Sequence, residues 1–360
     1  MADSVVTSET TGLPAQVSSS AGQRPKPAYR TRWGRMYQGD CEQLLRRDPL
    51  KRYRGKVDLL LTSPPFPLNR KKRYGNLTGE EYLEWLRDLA PLFCEYLAPS
   101  GSIVLELGNA WESGRPTMST LPMKALLAFI EAAKLHLCQE FICFNPARLP
   151  SPAQWVTVER IRVKDAFTRI WWMSPTDRPK ANNRNVPTRY SKAMENLLKK
   201  GTYNSGRRPS EHNIGERSFL VNNGGGIPPN VLVPGSDDPA SALTEVLPFS
   251  NTRTNDPYQV YCRLHGITPH PARMQCEIAE FFVRFLTSEG DLVLDPFAGS
   301  NTTGAVAERL SRRWLAIEKE SNYAETSAVR VKPEMLDKSM TRGAGQSDES
   351  PSSATPVRDS

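Results

Sequence analysis

Two successive prolines, Pro64 and Pro65, follow the apolar run Val57-Asp58-Leu59-Leu60-Leu61, and no other stretch restricts the fold so tightly. A short, nearly continuous apolar run predicts a strand buried on both faces, as in a parallel sheet covered by helices. Proline has no N–H to give to a ladder and holds the preceding residue extended, so the strand must end and a stiff loop follow. Loops at the carboxyl ends of strands are where open α/β sheets bind ligands. Here the loop is Thr62-Ser63-Pro64-Pro65-Phe66, which offers the Ser63 hydroxyl, the Pro64 carbonyl and the Phe66 ring. Two acceptors beside an aromatic face suit a planar ring that carries an exocyclic amine, the chemistry of a nucleobase amino group.

The rest of the chain supplies the sheet that such a strand needs. Strands are predicted at 33–39, 102–107 and 137–144, with helices at 41–47, 78–97 and 122–135 between them. The second helix opens on the capping-box pattern Thr78-Gly79-Glu80-Glu81 and carries Leu83, Leu86, Ala90 and Phe93 along one face. A strand at 166–173 is followed, from 273 on, by helix, strand, helix, strand and a last helix to about 329. Alternation of this kind predicts an α/β fold, a Rossmann-like sheet with helices on both faces.

Composition narrows the function classes. Of 360 residues, 38% are hydrophobic and 24% charged, as in ordinary globular proteins. No run approaches the roughly 18 apolar residues of a membrane span, and the N-terminus has no secretory pattern. Six cysteines without Cys-x-x-Cys or Cys/His spacing read as reduced thiols, so no metal site is expected. A net charge of +8 tips the balance toward a polyanionic partner. Both ends, 1–28 and 333–360, lack apolar periodicity and are expected to be disordered tails.

Basic residues are grouped. Arg70, Lys71, Lys72 and Arg73 follow the proline loop closely, where a nucleic-acid backbone would pass. From Asn145 to Gly235 the chain is dense in Pro, Asn, Arg and Gly, with Arg184, Arg189, Arg207 and Arg208 interleaved with asparagines. Such side chains contact phosphates and read base edges, so a DNA-reading segment is favoured over a solvated insertion.

Near the other end, the strand Asp291-Leu292-Val293-Leu294-Asp295 runs into Pro296-Phe297-Ala298-Gly299-Ser300-Asn301-Thr302-Thr303-Gly304, then a helix and a strand ending in Glu318. This is the layout of a nucleoside-binding half, with the carboxylate placed for ribose hydroxyls. The loop lacks Gly-Lys-Ser/Thr and Gly-x-Gly-x-x-Gly, which disfavours a phosphate cradle and a dinucleotide. A nucleoside without phosphates remains, S-adenosyl-L-methionine being the common one; the alternative is a plain β-α-β unit with a glycine turn. Methyl transfer to an exocyclic amine joins the two loops. Asp40, before the first helix, reads in isolation as an N-cap.

Together these residues resemble the β-group of amino-methylating DNA methyltransferases, in which the catalytic motif precedes the target-reading segment and the cofactor motif comes last. Ser63-Pro64-Pro65-Phe66 resembles the form typical of cytosine-N4 enzymes, where adenine-N6 members more often carry Asp-Pro-Pro-Tyr. Asp295 to Ser300 is similar to the family's cofactor loop, and His270-Pro271-Ala272 to the motif before it. The likeness spans about Trp33 to Val329. It departs at Asn301, where many relatives have glycine, and at Met274-Gln275, where Phe-Pro is familiar.

The resemblance implies an S-adenosylmethionine-dependent methyltransferase sheet with an inserted, irregular target-recognition region. It divides the chain into a catalytic subdomain at 29–174, a target-recognition region at 175–262 and a cofactor-binding subdomain at 263–332. Ser63, Pro64, Pro65 and Phe66 become catalytic. Asp40 becomes the acceptor for the cofactor's adenine amine, joined in cofactor binding by His270, Pro271, Asp295, Pro296, Phe297, Gly299, Ser300, Asn301, Thr302 and Glu318. Implied too are double-stranded DNA as substrate, action as a monomer, and a bacterial cytoplasmic setting. A restriction endonuclease would share the target without needing to bind this chain. The nearest resemblance suggests a CAGCTG-like palindrome. Adenine-N6 methylation is the near alternative, and a non-catalytic DNA-binding module the distant one. A cytosine-C5 enzyme is disfavoured, because its thiolate lies in a Pro-Cys pair and the chain has none.

Overall fold

The computed structural model describes residues 25–66, 79–233 and 256–336. The basic cluster Arg70, Lys71, Lys72 and Arg73 and most of both tails lie outside the described residues. In chain order come β1 (Tyr29–Arg30), β2 (Gly34–Gln38), α1 (Cys41–Leu45), β3 (Val57–Thr62), α2 (Gly79–Cys94), β4 (Leu97–Leu107) and α3 (Leu121–Ala133). Next are β5 (His136–Phe144), β6 (Phe167–Ser174), α4 (Lys192–Lys200), β7 (Gly206–Arg207), β8 (Asn213–Ile214) and β9 (Val231–Leu232). The last stretch holds α5 (Pro257–Leu264), α6 (Cys276–Leu286), β10 (Leu292–Asp295), α7 (Thr302–Arg309), β11 (Arg313–Glu318) and α8 (Ser321–Thr326).

The proline-terminated strand β3 lies in the middle of a nine-stranded sheet of order β1-β2-β11-β10-β3-β4-β6-β5-β9. Its alternate side chains serve two cores. Leu59 and Leu61 pack with Phe282 and Val283 of α6, while Leu60 packs with Leu86 and Phe93 of α2. Burying each leucine from water stabilises by about 2 kcal/mol, which is why this strand tolerates so little polarity. From β2 to β4 the neighbours are all parallel; β6 runs antiparallel between β4 and β5.

Two strands from opposite ends of the chain meet at the centre. Leu59 of β3 pairs with Val293 of β10, and Leu60 with Leu294. From β3 the chain leaves through α2 to β4 on one side; from β10 it leaves through α7 to β11 on the other. Where connections diverge in this way the loops part and a crevice opens at the strands' carboxyl ends.

Several boundaries moved from expectation for local reasons. Strand β4 starts at Leu97 rather than 102, because Leu97 pairs with Val57 across a register shift. Helix α6 starts at Cys276 rather than 273, since Gln275 is extended at φ −70° and ψ 138°. The segment from 145 to 235, expected to be irregular, contains α4, capped by the Ser191 hydroxyl on the Met194 N–H and ended by Gly201 at φ 68°. It also adds β9 to the sheet edge, beside β5. Helix α5 was not foreseen; the Asp256 carboxylate caps it through the Tyr258 N–H and also pairs with Arg330 at 2.7 Å. No helix among the described residues is long and apolar enough to cross a membrane.

Candidate active site

At the end of β3, the buried Thr62 hydroxyl donates to Oδ1 of Asp295 at 2.6 Å. Asp295 ends β10, and the same oxygen accepts the Phe297 N–H at 3.1 Å, which starts the small-residue turn. One carboxylate therefore fixes both loops relative to each other. Burial raises the Asp295 carboxyl to about 6, against the pull of those two hydrogen bonds.

The next residues form the two walls of one cavity of about 580 Å³. Ser63 points its hydroxyl toward the backbone carbonyl of Glu106, 3.5 Å away, a distance that leaves the hydroxyl weakly held. Phe66 lies over Gly108, where a Cβ would stand only 2.7 Å from the ring. Glycine at 108 thus makes room for the aromatic face. Glu106, near the end of β4, also lines the cavity. Burial raises its carboxyl to about 7, while the neighbouring Arg148 guanidinium and the Ser63 hydroxyl pull the other way.

Across the cavity, Gly299 and Asn301 both take left-handed backbone, at φ 52° and 57°, so the turn bends tightly. Oε2 of Glu318 accepts the Gly299 N–H at 2.8 Å, and Oε1 accepts the Glu320 N–H at 2.9 Å. Burial raises its carboxyl, with nearby Asp295 adding to the effect. Asp40 caps α1, its Oδ1 accepting from Glu42 at 3.1 Å and Gln43 at 3.2 Å. Because Gln38 and Glu318 are partners in parallel strands, Asp40 and Glu318 stand at adjacent strand ends. The His270 ring packs on Gly299, and its buried Nδ1 has no hydrogen-bond partner within the protein. Burial lowers its pKa, which favours the neutral ring.

Asp40, Ser63, Pro64, Pro65, Phe66, His270, Pro271, Asp295, Pro296, Phe297, Gly299, Ser300, Thr302 and Glu318 all line this cavity. Asn301 sits elsewhere. It is fully buried behind the turn, its amide donating to the Tyr29 hydroxyl at 2.9 Å, so it shapes the loop instead of facing the cavity. Arg184, Arg189, Arg207 and Arg208 are exposed and lie outside the lining. Arg207 pairs with Glu211 at 3.6 Å, and Arg208 donates to the Asn204 carbonyl at 2.8 Å. Asn182 and Asn185 anchor their segment by bonding the Phe285 and Arg284 carbonyls of α6.

Sequence reasoning passed over part of the lining: Trp85, Glu106, Cys143, Arg148 and Thr168. Trp85 packs edge-on against Phe297, with centroids 5.7 Å apart, and donates to Glu42 at 2.9 Å. For Glu106 a signal existed, a lone carboxylate near the end of the apolar run Ile103 to Leu107. For Arg148 there was none. Among the described residues no group of three His, Cys, Asp or Glu side chains is placed to hold a metal ion.

A nucleoside fits this donor set. Two carboxylates at adjacent strand ends offer acceptors to hydroxyls and an amine, Phe297 offers a ring face, and His270 Nδ1 awaits a partner. An acidic wall also suits a cationic ligand.

Compared with known proteins, residues 57–329 match the family model described as DNA methylase. The chain is 42% identical over 307 residues to the type II methyltransferase M.PvuII of Proteus hauseri, covering 85% of each. It is 26% identical over 299 residues to M.BglII of Bacillus subtilis, covering 81% of this chain and 67% of that one. Among solved structures, the cytosine-N4-specific PvuII DNA methyltransferase superposes with a TM-score of 0.65 at 36% identity, covering 88% of this chain and 95% of its own.

Proposed function

The chain belongs to the DNA methylase family, and on that premise we propose that it is a site-specific methyltransferase acting on the N4 amine of a cytosine flipped out of duplex DNA. Its methyl donor is S-adenosyl-L-methionine. The observation that carries this reading is the Thr62–Asp295 hydrogen bond, which holds an amine-accepting loop and a nucleoside-binding loop on one cavity. The cytosine-N4 assignment is supported by Ser63-Pro64-Pro65-Phe66 and by the likeness to the PvuII enzyme.

In this mechanism the protein mainly positions and orients. A cytosine amine is a poor nucleophile because its lone pair is delocalised into the ring. Ser63 Oγ and the Pro64 carbonyl accept its two N–H bonds and favour the pyramidal geometry that frees the lone pair. Phe66 stacks on the ring, and Pro65 keeps the loop stiff. Glu318 would hold the ribose hydroxyls and Asp40 the adenine amine, with Phe297 and His270 closing the sides. Bound there, S-adenosylmethionine supplies a methyl group on a cationic sulfonium. Holding the amine oriented toward the donor side would account for most of the rate gain, and the methylated, cationic N4 would then lose its proton to water, so no strong base is required. Extruding the base from the duplex costs a few kcal/mol, which contacts with DNA must offset.

The division of labour follows chain order. Residues 29–174 present the amine-gripping loop, 175–262 read the DNA through residues such as Arg184, Arg189, Arg207 and Arg208, and 263–332 hold the cofactor. Arg70 to Arg73 track the phosphate backbone. The protein acts as a monomer, since each strand is methylated separately. It works in the bacterial cytoplasm as the modification arm of a type II restriction-modification pair. Expression in a host without DNA methylation tests the reading, with digestion of its DNA and mass analysis of the nucleosides. N4-methylcytosine at one short sequence is expected. N6-methyladenine would move the assignment to the adenine branch, and unmodified DNA with no cofactor binding would leave only a DNA-binding module.

A further inference from the structure

The strand register gathers three side chains on one face of the sheet at the floor of the amine-binding wall. Cys143 of β5 is opposite Thr168 of β6, and Glu106 of β4 is opposite Ile170, two residues further along the same face. Arg148, in the loop after β5, is laid across this face. Its Nη1 donates to the Phe167 carbonyl at 2.8 Å and its Nη2 to the Thr168 hydroxyl at 2.7 Å. Asp165 stands 3.5 Å from Nη1 and is itself held by Asn109 at 2.9 Å, so the single stretch 165–168, braced by Asn109, sets the guanidinium plane. Those contacts engage both terminal nitrogens and take up to three of the five N–H groups of the guanidinium, so the Nε–H and one Nη2–H remain for a ligand. The side chain lines the cavity with Ser63, Pro64 and Glu106. Arg273 and Lys319, the other basic residues of the lining, follow His270 and Glu318 on the cofactor side.

The edge of cytosine presents an amine, then the N3 acceptor, then the O2 acceptor. Adenine presents an amine and the N1 acceptor, then a C–H. Contacts to the amine alone do not tell the two hydrogen-bonding edges apart, whereas a donor aimed at the third position does. Among the described residues, Arg148 is the cationic donor on this wall. We propose that Arg148 is the specificity-determining residue of the pocket, its guanidinium donating to O2 of the flipped cytosine. Glu106 neighbours both Arg148 and the Ser63 hydroxyl, and in this proposal its side chain meets N3, where burial that raises the carboxyl to about 7 favours the protonated, donating form. The three groups then match the cytosine edge as guanine does.

This inference rests on the cytosine-N4 reading, and its test separates the two. Single-turnover methylation is measured for wild type, Arg148→Met and Arg148→Lys. The duplexes carry cytosine, 2-thiocytosine or adenine at the mapped target position, opposite an abasic site so that unpairing is equal. In wild type, the weakly accepting sulfur of 2-thiocytosine should slow the reaction about tenfold. Arg148→Met should lose about 10- to 100-fold on cytosine and become indifferent to the sulfur, with no matching loss on adenine. The lysine variant keeps the charge and should fall between; it also serves if the methionine variant fails to fold, as judged by S-adenosylmethionine binding. Equal sulfur effects in wild type and in a folded variant would overturn the role of Arg148. Absence of cytosine methylation in wild type would overturn the functional reading instead.

Discussion

Replacing Asp295 by asparagine should make the ligand-free protein more stable at neutral pH while impairing the site. The carboxyl is 5% exposed, and burial lifts it from 3.8 in the unfolded chain to about 6. Since the folded-state value is the higher one, the folded protein takes up the proton first as pH falls. The group's stabilising contribution is therefore complete below pH 3.8 and is lost as pH rises through about 6. Relative to an unshifted carboxyl this costs about 3 kcal/mol at pH 7.5, where the charge is buried, and about 1 kcal/mol at pH 4.5, where folding instead takes up a proton. Asparagine carries no charge, and its Oδ1 can still accept from Thr62 and Phe297. Its amide N–H groups need new acceptors, so the net gain at pH 7.5 should be about 1–3 kcal/mol, or roughly 2–4 °C per kcal/mol in Tm. Thermal melts of both proteins without cofactor, at pH 7.5 and 4.5, are the assay. A variant that melts at or below wild type at pH 7.5, or a gain that persists undiminished at pH 4.5, would refute the reasoning.

Other perturbations separate the roles of the two loops. Ser63→Ala should slow single-turnover methylation by about 10²-fold with S-adenosylmethionine affinity nearly unchanged in calorimetry, because only an acceptor for the target amine is lost; an undiminished rate would remove Ser63 from the mechanism. Gly108→Ala would place a Cβ 2.7 Å from the Phe66 ring and should displace it, reducing the rate on DNA at least tenfold while leaving cofactor binding intact. In the sheet, Gly34→Ala would put a Cβ 2.1 Å from the Trp314 ring system, and urea denaturation should show a loss of about 3 kcal/mol. DNA affinity should fall linearly on a log–log plot against salt, and a flat plot would count against backbone contacts by the basic segments.

The boundary between what could be read locally and what could not follows the range of the forces involved. Pro64 and Pro65 stop a strand through their own rings, and Gly299 bends a turn through its own φ, so these features are visible in neighbouring letters. The alternation of buried strands with amphipathic helices likewise reports the sheet, because burial on two faces demands apolar residues in sequence order. Short helices such as α4 and α5 escaped notice since their stability comes from caps and packing more than from propensity. Asn301 shows the limit clearly: its left-handed backbone is a local property, but its side chain is directed by Tyr29, 272 residues away.

The chain by itself determined two loops with complementary chemistry, one accepting an amine and one accepting a nucleoside, because each is written in a few adjacent residues. Only the folded sheet decided that they share a cavity. Thr62 and Asp295 are 233 residues apart and meet because β3 and β10 are parallel neighbours. Glu106, Thr168 and Arg148 join that cavity through strand register and a loop that crosses it. Register is set by hydrogen bonding and packing summed over the whole sheet, so no local stretch of sequence contains it.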